Sequence, residues 1–297
     1  MRRRVELTIA IFLLAIVGIF VTAFFAGREG WLRSGDDEKH ADRNPFQFTW
    51  ESRGEGGRWM LAVEPGQFES FLLVKRLSPA FEGLSPPMII SSSDDRVFAS
   101  AVFDEVVGIS TATVSSYARL AEDRRPVGRR ALRFPLGGCG EVVQADGQVE
   151  AGSRPTHAAA EGTIHAVDLK ADKGTPVVAA LAGQVVFVED RYSDAGGYQA
   201  GKERLDNRVV ILHDDGTEAV YAHLMQGSVL VLEGDRVPAG KRLASVGNSG
   251  FSQNPHLHFH IGGLNSAGYH TLPVDFLVDG APMAPVVGQS HCARSGG

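Results

Sequence analysis

A chain of 297 residues with 43% hydrophobic residues can bury a sizeable core, and 35 glycines with 14 prolines favour β-structure over a helix bundle. A net charge of −6, with no basic stripe beyond the short pairs Arg124-Arg125 and Arg129-Arg130, excludes nucleic acid as a partner. Two cysteines are too few for a disulfide scaffold.

The first element is apolar. Arg2-Arg3-Arg4 precede Leu7 to Ala26, 20 residues without a charge, which matches the ~20 needed to cross a bilayer as a helix. The arginines place the N-terminus in the cytoplasm and everything after Gly27 outside. A cleaved signal peptide is the rival reading, since Thr22-Ala23-Phe24-Phe25-Ala26 offers small residues, but the apolar run exceeds the usual ~7–15 of such a signal. Residues 1–30 are therefore read as a cytoplasmic tip and single-pass anchor. Residues 31–130 follow as a linker and a small β-rich module. Runs such as Phe46-Gln47-Phe48-Thr49-Trp50, Trp59-Met60-Leu61-Ala62-Val63 and Ser70-Phe71-Leu72-Leu73-Val74 are separated by Gly54-Glu55-Gly56-Gly57 and Glu64-Pro65-Gly66. Ser116 to Glu122 is expected to form a short helix, and Ala121 to Arg130 a linker or strand edge.

Residues 131–280 carry the chemistry. His165-Ala166-Val167-Asp168 reads as a strand ending in Asp168, followed by a Gly174-Thr175-Pro176 turn and a β-hairpin through Gly183. His213 closes a strand before an Asp-Gly turn, an ordinary structural position. Val220 to Leu224 is a short strand with Tyr221 and His223 on one face. In Pro255-His256-Leu257-His258-Phe259-His260, alternation sends the three imidazoles to one side and Leu257 and Phe259 into an apolar layer. Buried imidazoles each need a partner, which makes this a poor core but a good set of donors for zinc. His260 is read as a rim residue facing water, with a place supporting the site from behind as the alternative. A catalytic zinc wants three protein ligands; the chain has ten histidines and no HExxH, so further ligands come from elsewhere, with Asp168 and His223 the first candidates.

These motifs together carry a resemblance. His157, Ala166-Val167-Asp168, Gly174-Thr175-Pro176-Val177, Tyr221-Ala222-His223-Leu224, Gly247-Asn248-Ser249-Gly250 and His256-Leu257-His258-Phe259 resemble, in this order, the LytM/lysostaphin-type zinc metallopeptidases over roughly Phe134 to Phe276. The resemblance implies a mainly β fold, one Zn2+ per chain held by His157, Asp168 and His258, and two catalytic, non-ligating histidines, His223 and His256. It also places Asn207 beside the site. Chemically, two neutral imidazoles and one carboxylate leave zinc an open position and a net positive charge. Histidine titrates in the range a proton acceptor needs. His223 and His256 share the roles of proton acceptor and oxyanion stabiliser, without a division between them.

The first ligand departs from the commonest family pattern, in which a His stands four residues before the Asp. Ile164 occupies that place. His165, three residues before Asp168, points to the opposite face of a regular strand unless a bulge intervenes. His157 is preferred, in a loop-like segment after Arg154-Pro155-Thr156. Cys139 and Cys292 either pair, tying the tail to the start of the domain, or remain two free thiols. Residues 281–297 are expected to be a flexible tail.

The expected function is a membrane-anchored zinc endopeptidase in the periplasm or its equivalent at the inner membrane, acting on peptidoglycan stem or cross-link peptides. The alternative is a non-catalytic LytM-like module that binds and activates other cell-wall hydrolases; such a module is expected to have lost ligands or catalytic histidines, and all five are present.

Overall fold

The computed structural model describes residues 46–53, 56–63, 66–74, 88–93, 98–103, 113–120, 129–149, 151, 157, 162–198, 205–278 and 280–293. The apolar run Leu7 to Ala26 lies outside them. Among the described residues no helix is long and apolar enough to cross a membrane.

The described part is mainly β, as its glycine and proline content suggests. Its N-terminal strands are β1 (Phe46–Arg53), β2 (Gly56–Val63), β3 (Phe71–Val74), β4 (Met88–Ser91), β5 (Phe98–Phe103) and β6 (Thr113–Ser116). They form two three-stranded sheets, β1-β2-β5 and β4-β3-β6. Of the segment expected to be a helix, residues 116–120 are extended instead. β6 ends at Ser116, and 117–120 run out to an isolated parallel bridge between Arg119 and Leu264. Leu120 donates its N–H to Leu264 O at 2.7 Å and is itself buried, so tertiary pairing overrides the local preference.

The larger part comprises β7 (Arg130–Arg133), β8 (Cys139–Ala145), β9 (Gln148–Val149), β10 (Val167–Lys170), β11 (Pro176–Val178), β12 (Gly183–Glu189), β13 (Arg208–Leu212), β14 (Glu218–Ala222), β15 (Arg236–Val237), β16 (Arg242–Ser245), β17 (His256–Asn265), β18 (Gly268–Leu272), β19 (Val274–Val278), β20 (Ala281–Met283) and β21 (Ser290–Cys292). Its main sheet runs β15-β12-β13-β14-β17-β10-β8-β21, with β18 also on β17 and β9 on β8. One face packs the core: Val209, Ile211, Tyr221, Leu257, Phe259 and Ile261 belong to a single buried cluster. Removing side chains of this kind from water stabilises the fold by about 1.5–3 kcal/mol each. Val186, Val210, Val220 and Ala222 form a smaller cluster, against which Phe68, just before β3, and Tyr117, just after β6, pack.

Two expectations fail here. The strand after Gly174-Thr175-Pro176 does not turn back on its neighbour: β11 pairs with β16, while β12 pairs with β13 and β15. Local turn signals name a reversal of the chain but not its partner. Of the tail expected to be flexible, residues 281–293 are built in. β20 pairs with β19, β21 pairs with β8, and Cys139 and Cys292 are joined by a disulfide. The short apolar and polar alternation there is too brief to read as strands without the edges it completes.

Candidate metal centre and active site

The site is assembled by register. In the antiparallel pair β10–β17, Asp168 stands directly opposite His258, and in β14–β17 Ala222 stands opposite His258 on the other side. Period-2 alternation then turns His256, His258 and His260 toward one cleft while Leu257 and Phe259 fill the core. The cleft, about 410 Å³, is also lined by His157, Asp168, Arg208 and His223.

His157, Asp168 and His258 each offer a ligand atom within 4.8 Å of the others. His258 Nδ1 lies 3.1 Å and His157 Nε2 3.5 Å from Asp168 Oδ1, and the His157 and His258 rings meet edge-on with centroids 4.7 Å apart. Burial alone would raise the Asp168 carboxyl, but the facing His256, His258 and His157 outweigh it and hold it well below the usual carboxylate range. Burial, helped by the neighbouring His258, lowers His157 to about 4. An ionised carboxylate between neutral imidazoles is the donor set a divalent zinc takes. His165 is not in this cluster. Its Nδ1 lies 2.8 Å from Asp146 Oδ1, and its backbone N–H donates to Thr271 Oγ1.

His223 and His256 lie alongside, with ring centroids 4.7 Å apart. His223 does not share the face of Tyr221. β14 ends at Ala222, and His223 takes a left-handed backbone with φ 60°, rare for a residue with a side chain. That twist carries the ring out of the Tyr221 core layer and into the cleft. Its Nδ1 is 2.8 Å from the Ser249 carbonyl, which can only accept, so the proton sits on Nδ1 and Nε2 keeps its lone pair. Burial, with the nearby His256, lowers His223 to about 3. His256 Nδ1 is held in the same way, 2.8 Å from Asn254 O.

Asn207 is fully buried behind this pair. Its backbone N–H donates to Ser249 Oγ at 2.9 Å, and its Nδ2 donates to Tyr192 O at 2.7 Å and Leu224 O at 3.1 Å. It thus braces both chain segments that flank His223. Gly250 completes the turn with φ 74°, where an added Cβ would stand 2.6 Å from Asp206 Cβ.

Sequence reasoning placed His260 at a wet rim. It is buried, with Nδ1 2.8 Å from His258 Nε2 and Nε2 3.0 Å from Tyr269 Oη. Burial, with the nearby His258, drops its pKa well below the ordinary value. Tyr269 Oη in turn donates to Glu218 Oε1 at 2.9 Å. Burial pushes Glu218 up to about 7, against hydrogen bonds from Tyr269, Tyr117, Ser116 and Ala118 that pull it down. Neither Tyr269 nor Glu218 carried a sequence signal, since each meets the site only through strand pairing across β17. Arg208, which lines the cleft and pairs with Asp206, was missed for the same reason.

The pattern of peptidase family M23 matches residues 162–269. The chain is 28% identical over 196 residues to the uncharacterized lipoprotein YgeR of Escherichia coli K12, covering 63% of this chain and 67% of YgeR. It is 31% identical over 106 residues to the murein hydrolase activator NlpD of the same bacterium, covering 36% of this chain but only 24% of NlpD. The catalytic domain of lysostaphin from Staphylococcus simulans aligns at 26% identity over 45% of this chain and 86% of that one, with a TM-score of 0.30. Residues 162–269 therefore match peptidase family M23.

Proposed function

We propose that this protein is an envelope zinc endopeptidase that hydrolyses peptide bonds in peptidoglycan stem or cross-link peptides. The observation that carries this reading is the convergence of His157, Asp168 and His258 within 4.8 Å, beside two histidines whose Nδ1 atoms are tied to backbone carbonyls. His157, Asp168 and His258 would hold the metal. When bound, zinc supplies a Lewis acid for the scissile carbonyl and acidifies a water toward pKa ~7.

The remaining work falls to the chain's own side chains. In the neutral tautomer that the Ser249 and Asn254 carbonyls select, with the proton on Nδ1, Nε2 of His223 and of His256 keeps its lone pair. Between them they accept the proton of the attacking water, and the imidazolium so formed steadies the oxyanion. The positive φ at His223 and the Asn207–Ser249 brace hold that geometry before substrate arrives. At the mouth, Tyr198 is 54% exposed and its ring lies 4.7 Å from that of Phe251, giving an apolar lip for an extended peptide. The Cys139–Cys292 disulfide suits an oxidising compartment, and Leu7 to Ala26 would anchor the chain with the domain on the outer side of the inner membrane.

The test is incubation of the purified protein with peptidoglycan sacculi, with and without chelator. Chelator-sensitive release of muropeptides with newly cut peptide bonds, identified by mass spectrometry, is expected. Unchanged sacculi at full zinc loading would favour the second reading, an activator of other cell-wall hydrolases, which the likeness to NlpD supports.

A further inference from the structure

A line of buried hydrogen bonds runs away from the cleft, and the hydrolytic reading makes no use of it. From His258 Nε2 it passes to His260 Nδ1 at 2.8 Å, from His260 Nε2 to Tyr269 Oη at 3.0 Å, and from Tyr269 Oη to Glu218 Oε1 at 2.9 Å. The line ends in the N-terminal part of the chain, where the Tyr117 backbone N–H donates to Glu218 Oε2 at 2.9 Å. His260 and Glu218 are both buried. Gly162 presses on the same spot, since a Cβ there would stand 1.5 Å from the Tyr269 carbonyl oxygen.

We propose that Glu218, Tyr269 and His260 are positioning residues that orient His258 as a metal ligand, and that the strand end at Tyr117 anchors their outer terminus. The inference rests on the zinc reading above. Its basis is the sense in which donors must run. A His258 that ligates through Nδ1, the nitrogen beside Asp168, carries its proton on Nε2 and donates it to His260 Nδ1. His260 then has its proton on Nε2 and donates to Tyr269 Oη. The hydroxyl must donate onward, and it needs an acceptor that has nothing to donate in return. A carboxylate at Glu218 meets that need at one oxygen, while its other oxygen receives the backbone N–H of Tyr117, a donor that cannot reverse. Every link therefore points outward from the metal. Partners of ligating histidines behave in this way generally, and their loss costs roughly 10–100-fold in metal affinity. Here the effect is carried through an imidazole and a phenol, and it ends on a segment outside the M23 match at 162–269.

The test compares zinc affinities of the full-length protein in detergent at pH 8, by competition with a chromophoric chelator. Wild type, Glu218→Gln, Tyr269→Phe and the double variant are measured, with folding checked by circular dichroism. Glu218→Gln keeps the shape but turns one acceptor into a donor, so a donor faces a donor either at Tyr269 or at Tyr117. Zinc affinity is expected to fall roughly tenfold or more. In the Tyr269→Phe background the hydroxyl is gone, and Glu218→Gln is expected to have no further effect. A Glu218 that served only to hold the fold would cost affinity equally in both backgrounds. That outcome, or unchanged affinity in Glu218→Gln, overturns the relay. A second measurement needs no variant. Long-range proton–nitrogen NMR of the zinc-loaded wild type should find His260 protonated on Nε2, and a proton on Nδ1 overturns the proposal. Failure of the wild type to bind zinc removes the metal reading itself, whereas normal binding with uncoupled variants removes only the relay.

Discussion

His223 is the residue where the chain departs most from its local rule. On a regular strand it would join Tyr221 in the core; one left-handed φ of 60° moves it to the cleft. Replacing His223 or His256 by Ala is expected to lower hydrolysis by roughly 10²–10⁴-fold while leaving zinc bound, since neither belongs to the ligand trio. Rates on sacculi and zinc content by atomic absorption check both halves, and loss of zinc would reassign the residue as a ligand. The choice between His157 and His165 is equally sharp. His157→Ala should weaken zinc binding steeply in a titration, and His165→Ala should not, because His165 is engaged with Asp146. The five proposed site residues came from the family resemblance, and the structure brings them to one cleft; the face of His258 followed from alternation alone. The face of His223 was not, because a single backbone angle decides it and histidine gives no warning of that angle. His260 was misread because its partner Tyr269 arrives from β18, which only the folded sheet places alongside it.

At the scale of elements, β17 is the strand on which the rest depends. It carries both halves of the design, with His256, His258 and His260 in the cleft and Leu257, Phe259 and Ile261 in the core. Phe259 has no exposed surface and its ring lies 5.2 Å from that of Tyr221 and 6.0 Å from that of Phe276. Phe259→Ala should cost about 3–5 kcal/mol in chemical denaturation, with zinc affinity falling in parallel because the same strand holds His258. This strand was readable in the sequence because its period of two is strict. Strand partnership was not readable, as the β11–β16 pair shows: turn residues fix where the chain bends, and only the packed core decides which strand it meets.

For the molecule as a whole, buried histidines govern the response to acid. Burial lowers His157 to about 4 and His223 to about 3, and it lowers His213 and His260 as well. In the unfolded chain such groups titrate near ~6.5. Below that pH the unfolded chain binds protons that the folded one refuses, so stability present above ~6.5 is lost as pH falls toward about 4. Glu218 acts in the opposite sense. Raised to about 7, it costs stability as pH rises from its unfolded value of ~4.3. Four imidazoles outweigh one carboxyl, and the metal-free protein should melt at progressively lower temperature between pH 6.5 and 4.5. A rising or flat profile in a thermal scan with chelator would show that the histidines are more open to solvent than their burial implies.

The disulfide has a further consequence for how the chain responds to a proteolytic cut. Cys139 and Cys292 are 153 positions apart, so the bond closes a covalent ring that contains all five proposed site residues. A single cut anywhere within the ring opens it to a linear chain without releasing a fragment. The strands on either side of a nick in a surface loop stay tethered at Cys139 and Cys292, and the cleft need not come apart. Reduction, not proteolysis, is the event that would let the pieces drift away.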